Sequence, residues 1–332
     1  MARVFVTGGG GFIGGQLARA LVARGDEVIA LARTDEAARA LREHGATVVR
    51  GDVLDPRALQ AAMEGAELVH HVAGLNSHCP KDPARLWQVN VLGPQTVVQA
   101  SAARRIKRVV FTSSSASLGE PRGTIGDEST AHRGSFLSLY EQSKYEGERA
   151  AMLAAELTGT DVVALNPTSV QGPPRRGGTG AIIIAYLNRR LRVFVATDVS
   201  IVDVRDVVAA HLHAETKGRP GARYVLSTPA LTSRAAIELV AELSNVRYPV
   251  AYLAPRTARR LAGALDAGFR LAGRSPSPVC PARIETILHG HRYDGSLAER
   301  ELGIEYTPVR ETFRRTIEWA RAEGLAPAGR RP

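Results

Sequence analysis

The stretch RVFVTGGGGFIG, Arg3–Gly14, decides the architecture. A short apolar run ends abruptly in glycines, and an amphipathic segment over about Phe12–Arg24 follows. That order reads as strand, tight turn, helix. Gly8, Gly11 and Gly14 stand at G-x-x-G-x-x-G spacing, where a side chain would keep the backbone away from a pyrophosphate. The helix that opens there offers unpaired N–H groups and a partial positive charge to an anion. Gly8, Gly11, Phe12, Ile13 and Gly14 are therefore expected to contact a dinucleotide.

Working outward, apolar runs alternate with amphipathic helices. Strands are expected at Arg3–Thr7, Glu27–Ala32, Thr47–Arg50, Leu68–Ala73, Val109–Ser113 and Asp161–Asn166. Helices are expected near 12–24, 36–44, 56–63, 83–105 (bent near Gly93–Pro94) and 139–157. Nearly continuous Val/Ile/Leu/Phe strands separated by helices mean a parallel sheet covered on both faces. The fold class is α/β: a Rossmann-type, doubly wound parallel sheet of about seven strands with a smaller, mostly helical C-terminal substrate lobe. The expected division is residues 1–167 for the nucleotide-binding domain, with 198–226 returning to it, and 168–197 and 227–332 for the lobe.

The end of the second strand chooses the dinucleotide. It reads Ala32-Arg33-Thr34, without the acid that would bind both ribose hydroxyls of NAD. Arg33 suits a 2′-phosphate, so NADP(H) is favoured and NAD(H) is the alternative. Asp35 and Glu36 come late and suit the first turn of the next helix. Asp52-Val53 follows the third strand, where a carboxylate can accept from the adenine amino group. Asp55, before Pro56, is the better helix cap. Val72, Ala73 and Gly74 close the fourth strand with small residues that let the chain pass beneath the cofactor.

Tyr140 and Lys144 form a Tyr-x-x-x-Lys pair on one helix face. Of 43 basic residues only Lys81, Lys107, Lys144 and Lys217 are lysines, and the other 39 are arginines. Such a pair arises by chance only about 0.1 times in this composition. An ammonium near a phenol favours the phenolate, which fits tyrosine for acid–base work near neutral pH. Phe111-Thr112-Ser113-Ser114-Ser115 ends the fifth strand, where a hydroxyl can hold the reacting oxygen beside Tyr140.

Composition removes several classes. No stretch approaches the ~18 apolar residues of a bilayer span. The N-terminus lacks the apolar core of a signal peptide. Cys79 and Cys280 are too few for a disulfide framework, which points to a reducing cytoplasm. Net charge is +10, yet the arginines are scattered in pairs such as Arg104–Arg105 and Arg175–Arg176. With 5% aromatics and no nucleic-acid-binding motif, they read as solvated helix faces rather than a polyanion site.

The series TGGGGFIG, GDV, HVAG, VNVLG, FTSSSASLG, YEQSK and NPTSVQGP resembles the extended short-chain dehydrogenases/reductases. The likeness is to the NAD-dependent epimerase/dehydratase family, in its dihydroflavonol-reductase-like and hopanoid-associated sugar epimerase-like branch. It covers most of residues 3–323 and is strongest over 3–175. The resemblance implies that Ser114 is the catalytic serine, Tyr140 the general acid/base, and Lys144 the holder of the nicotinamide ribose. It implies that Asn90 supports the site, and that Thr112, Ser113, Pro167, Thr168 and Val170 lie along the cofactor. It also implies a homodimer through the helices at 83–105 and 139–157. Ser115-Ala116 replaces the Asp-Glu of sugar 4,6-dehydratases, and no Arg-Pro-Gly stands near His291-Arg292-Tyr293-Asp294, where many nucleotide-sugar epimerases bind a diphosphate. Asp203-Val204-Arg205-Asp206 also departs from the family pattern and reads as structural.

Expected substrate contacts are Asn76, His78, Ser115, Phe136 and Gln171, with Trp87 and Leu137 as further apolar walls. His70 and His71 read as satisfied core histidines. His289-Gly290-His291 with Cys280 lacks the spacing of a tetrahedral metal set, so no metal is expected. The helix near 257–271 reads as a cover over the cleft rather than a membrane-surface element. The function read from these residues is NADPH-dependent reduction of a ketone or aldehyde, or the reverse oxidation, on a small hydrophobic substrate. The alternatives are a nucleotide-sugar epimerase and a non-catalytic NADP-sensing protein.

Overall fold

Seven parallel strands form the centre of the molecule. They are β1 (Arg3–Thr7), β2 (Glu27–Ala32), β3 (Thr47–Arg50), β4 (Leu68–His71), β5 (Arg108–Thr112), β6 (Val162–Pro167) and the strand Arg223–Leu226. In space they run Arg223–Leu226, β6, β5, β4, β1, β2, β3. The computed structural model describes residues 1–274 and 276–328, so the last four residues of the expected lobe, 329–332, lie outside it. The order reverses beside β1, which places a crevice at the carboxyl ends of β1 and β4.

Helices α1 (Phe12–Ala23), α2 (Asp35–Glu43), α3 (Pro56–Ala62), α4 (Pro83–Trp87), α5 (Gly93–Ala103) and α6 (Leu139–Thr158) connect the strands. Two apolar layers result. Phe5, Val69, Val109 and Phe111 pack on one side with Val97, Val98 and Ala151. Val4, Val6, Val28 and Ala30 pack on the other with Leu17, Leu21 and Leu41. Each fully buried Leu or Phe contributes roughly 1.5–3 kcal/mol. His70 and His71 are buried as expected; both ring nitrogens of His70 are bonded, whereas His71 Nε2 has no partner among the described residues. His70 lies 2.9 Å from Glu215, and His71 Nδ1 lies 2.7 Å from Thr7 Oγ1.

The helix expected at 83–105 runs through without a gap, and its irregular turn lies just before Gly93. A π-turn at Gln88–Leu92 separates α4 from α5 and aims Asn90 inward. Helix α6 comes so close that a Cβ on Gly147 would sit 1.9 Å from the Asn90 carbonyl oxygen.

The lobe carries its own core, with Ile183, Tyr186, Val240, Phe313 and Ile317 buried together. The helix Pro281–His289 and the short parallel pairs, Ser169–Gln171 with Ile201–Asp203 and Val193–Val195 with Ala251–Leu253, lack a sequence signal of their own. They are too short for periodicity to declare them. Asp203 and Asp206 are structural. Asp203 caps the helix Val204–Ala214 and receives Thr312 and Arg315, each at 2.8 Å, while Asp206 receives Thr307.

The cysteine reading needs correction. Cys79 and Cys280, 201 residues apart, are joined in a disulfide between the loop after β4 and the start of the helix Pro281–His289. The inference from cysteine count to a reducing compartment therefore loses its basis. Among the described residues no helix is long and apolar enough to cross a membrane.

Gly147→Ala is expected to lose about 1–3 kcal/mol in urea unfolding by overpacking. Gly263→Ala, whose Cβ meets nothing within 4 Å, is the matched control and gains roughly 0.5–1 kcal/mol.

Candidate active site

The carboxyl ends of the strands open on one cleft of about 1410 Å³. The glycine turn forms its floor. Gly8 has φ +71°, and a Cβ there would lie 2.5 Å from the Ala73 nitrogen. A Cβ on Gly14 would lie 2.2 Å from the Gly8 carbonyl. Gly11 caps α1 without any side-chain hydrogen bond. This is a cradle that only glycine leaves open, and it suits a pyrophosphate at a helix N-terminus.

Val72, Ala73, Gly74, Phe12, Ile13 and Val53 line the cleft as expected, and so do Thr112, Ser113, Pro167, Thr168 and Val170. Arg33 stands at the end of β2, exposed and without an ion-pair partner among the described residues. Its neighbours are spent elsewhere. Thr34 caps α2 by accepting from the Ala37 N–H, and Asp35 and Glu36 sit in that helix's first turn. Asp52 lines the cleft but is not free, because it pairs with Arg85 and accepts from the Leu54 N–H at 3.1 Å. Asp55 caps α3.

Tyr140, Lys144 and Ser114 meet in this cleft. Ser138 caps α6 and starts the helix two residues before Tyr140. Ser114 starts a short turn after β5, and its hydroxyl accepts from the Ala116 N–H at 3.2 Å. Ser113 faces away, with its hydroxyl on the buried carboxylate of Glu148. Burial pushes the Tyr140 phenol up, while Ser114 and the charge of Arg175 pull it down. The sequence assigned that cationic role to Lys144. The Lys144 ammonium donates to the Thr112 carbonyl at 3.3 Å. Burial lowers its pKa to about 8, opposed by the charge of Glu148.

Asn90 ties the walls together. Its Oδ1 accepts from the Leu75 N–H at 2.8 Å, and its Nδ2 donates to the Leu75 carbonyl and the Ser143 hydroxyl, both at 2.9 Å.

Of the expected substrate contacts, Asn76, His78, Ser115 and Gln171 line the cleft. The His78 ring lies edge-on to Tyr140 with centroids 5.0 Å apart, and burial takes its pKa down to about 4. Phe136 is a correction. It packs on His132 and Tyr145, at 4.8 and 5.6 Å, and is not part of the cleft wall, and neither are Trp87 and Leu137. A local aromatic cluster takes up the ring that polarity alone would have given to a ligand.

A buried polar cluster joins Glu120 to the lobe in a pairing that the sequence reading did not foresee. Buried Glu120 accepts from His291 Nδ1 at 2.7 Å and from the Tyr293 hydroxyl at 2.8 Å. His289 Nε2 bonds the Glu120 carbonyl at 3.1 Å. Glu120, His289 and His291 place ligand-type atoms within 4.8 Å of one another, but these bonds already occupy the carboxylate. Cys280, grouped with the histidines by sequence, is held by Cys79 instead. Arg175 and Arg283 also line the cleft. The QGPPRRGGTG loop begins at Gln171, four residues past Pro167 at the end of β6, and that position was the available signal for Arg175.

The model of the NAD dependent epimerase/dehydratase family matches residues 4–227. A sterol demethylase protein B from Methylococcus capsulatus is 32% identical over 324 residues, 96% of this chain and 98% of that protein. A putative dihydroflavonol 4-reductase from Synechocystis is 31% identical over 328 residues, 96% of this chain and 95% of that one. The crystal structure of gox2253 superposes with a TM-score of 0.86 at 26% identity, covering 98% of this chain and all of the other. The glycine turn, the Ser-Tyr-Lys cleft and these matches together mean that the chain belongs to the NAD dependent epimerase/dehydratase family of extended short-chain dehydrogenases/reductases.

Proposed function

We propose that the protein is an NADPH-dependent oxidoreductase that reduces a ketone or aldehyde, or runs the reverse oxidation, on a hydrophobic substrate. The observation that carries this reading is that Ser114, Tyr140 and Lys144 line one cleft together, with Lys144 one helical turn on from Tyr140. The bound nicotinamide supplies or receives the hydride. Ser114 donates a hydrogen bond to the carbonyl oxygen, and Tyr140 delivers the proton that oxygen needs. A phenol raised by burial stays protonated at neutral pH, which suits proton donation in the reductive direction. Lys144 holds the ribose as an ammonium, and Asn90 fixes the Leu75 backbone and α6 relative to one another.

NADP is favoured because Arg33 is exposed and unpaired while the nearby acids are engaged in α2. A hydrophobic substrate is favoured by Ile183, Ile237, Val240, Leu261 and Ile287 along the cleft. The reductase name of the Synechocystis relative points the same way. The epimerase reading draws on the family's name, but no Arg-Pro-Gly stands near His291-Arg292-Tyr293-Asp294 to take the diphosphate of a nucleotide sugar. A homodimer through α5 and α6 would cover Leu92, Leu153 and Leu157, which are 43%, 56% and 77% exposed.

Stopped-flow and steady-state assays with NADPH and a panel of aliphatic and aromatic ketones test the assignment. Tyr140→Phe is expected to cut kcat by about 10²–10⁴-fold while NADPH binding persists. Retention of more than a tenth of kcat overturns the role of Tyr140. In the reductive direction kcat/KM should hold up to about pH 8 and fall above it, as the Lys144 ammonium loses its proton. Arg33→Asp should raise KM for NADPH about 10–100-fold and leave NADH nearly unaffected, since one charge-assisted contact is removed. Equal effects on both cofactors would sink the NADP assignment.

A further inference from the structure

Several inward-facing arginines among the described residues have a carboxylate partner. Arg108 pairs with Asp161 and Arg315 with Asp203, and Arg133 meets Glu141. Arg175 does not. It lines the cleft half-buried, without a carboxylate within 4.0 Å among the described residues, and its Nε is buried with no hydrogen-bond partner. Its neighbour Arg176 turns outward to Glu323 at 3.1 Å. Taking a guanidinium out of water without a counter-charge is costly, and burial already pulls its pKa down. Such a group is held in readiness for an anion.

Its position says which anion. The guanidinium carbon lies 5.2 Å from the centroid of the Phe12 ring. Phe12 is the first residue of α1, directly after Gly11 of the glycine turn. The QGPPRRGGTG loop is shaped around the side chain as well. A Cβ on Gly178 would come within 2.7 Å of Arg175 Nη2, and one on Gly180 within 2.3 Å of its carbonyl oxygen. Glycine at both positions leaves the arginine its place over the turn.

We propose that Arg175 is an anion-binding residue that grips the diphosphate of the dinucleotide together with the glycine turn of α1. The ligand class is a nucleoside diphosphate. Two of its oxygens can take the guanidinium fork while the remaining ones face the helix N-terminus. The Rossmann sheet and the loop leading into the lobe then hold one ligand jointly. This proposal rests on the dinucleotide-binding reading of the glycine turn.

Calorimetric titration of the full chain with two probes tests it. ADP-ribose carries the diphosphate but no nicotinamide. Adenosine 2′-monophosphate carries no diphosphate and reports on Arg33. Arg175→Met is expected to weaken ADP-ribose about 10–100-fold, and Arg175→Lys to weaken it less, with adenosine 2′-monophosphate unchanged in both. ADP-ribose affinity within twofold of the wild type overturns the proposal, and assigns the arginine to a substrate anion instead. Equal loss for both probes also overturns it, because that is general damage to the fold. If the methionine variant does not fold, the lysine variant decides on the same criteria. Failure of the wild type to bind either probe removes the dinucleotide reading itself, and this inference with it.

Discussion

One asparagine holds three separate pieces of chain in register. Asn90 sits in a π-turn, and its amide bonds both backbone groups of Leu75 and the Ser143 hydroxyl. The loop after β4, the π-turn between α4 and α5, and α6 thereby share one rigid junction. Tyr140 and Lys144 flank Ser143 on α6. The place of the phenol relative to the loop beneath the cofactor is therefore set by a knot of amide bonds. The absence of a side chain at Gly147 lets α6 come close enough to tie that knot. A buried amide with all its partners fixes position well, because every alternative arrangement leaves a polar group unpaired.

Behind this junction lies a carboxylate that takes no part in the cleft. Glu148 is buried and accepts from Ser113, Ser117 and Asn166, with Arg223 2.9 Å from its other oxygen. Four pieces of the sheet and helix layers converge on it. It stands one helical turn beyond Lys144 and favours the ammonium that burial disfavours. The charge state of the site is thus a balance. Desolvation pushes Tyr140 and Lys144 toward their neutral forms, and Arg175 and Glu148 push back.

Much of this was legible in the sequence, for a physical reason. The glycine turn, the capped helices and the Tyr-x-x-x-Lys pair are local, so spacing along the chain equals spacing in space. Arg33 was legible because it lies at a strand end whose neighbours have their own helical duties. What distance along the chain conceals was not legible. Arg175 looked like one more surface arginine until the fold laid it over Phe12. Glu120, His291 and Tyr293 lie as much as 173 residues apart. The i, i+4 spacing places Tyr140 and Lys144 on one face of α6. Spacing does not say where an ammonium finds its acceptor, and here that acceptor is the Thr112 carbonyl. Phe136 failed for a similar reason, since two aromatic neighbours claim it.

The bond between Cys79 and Cys280 turns the region it encloses into a covalent ring. That ring contains α6, β5, β6 and the Arg175 loop, and it passes through both the sheet and the lobe. A protease that cuts the backbone once inside it opens a strand but releases no fragment. Both halves stay tethered beside the cleft that they jointly build. A nicked molecule and an intact one would then run alike on a gel until a thiol is added.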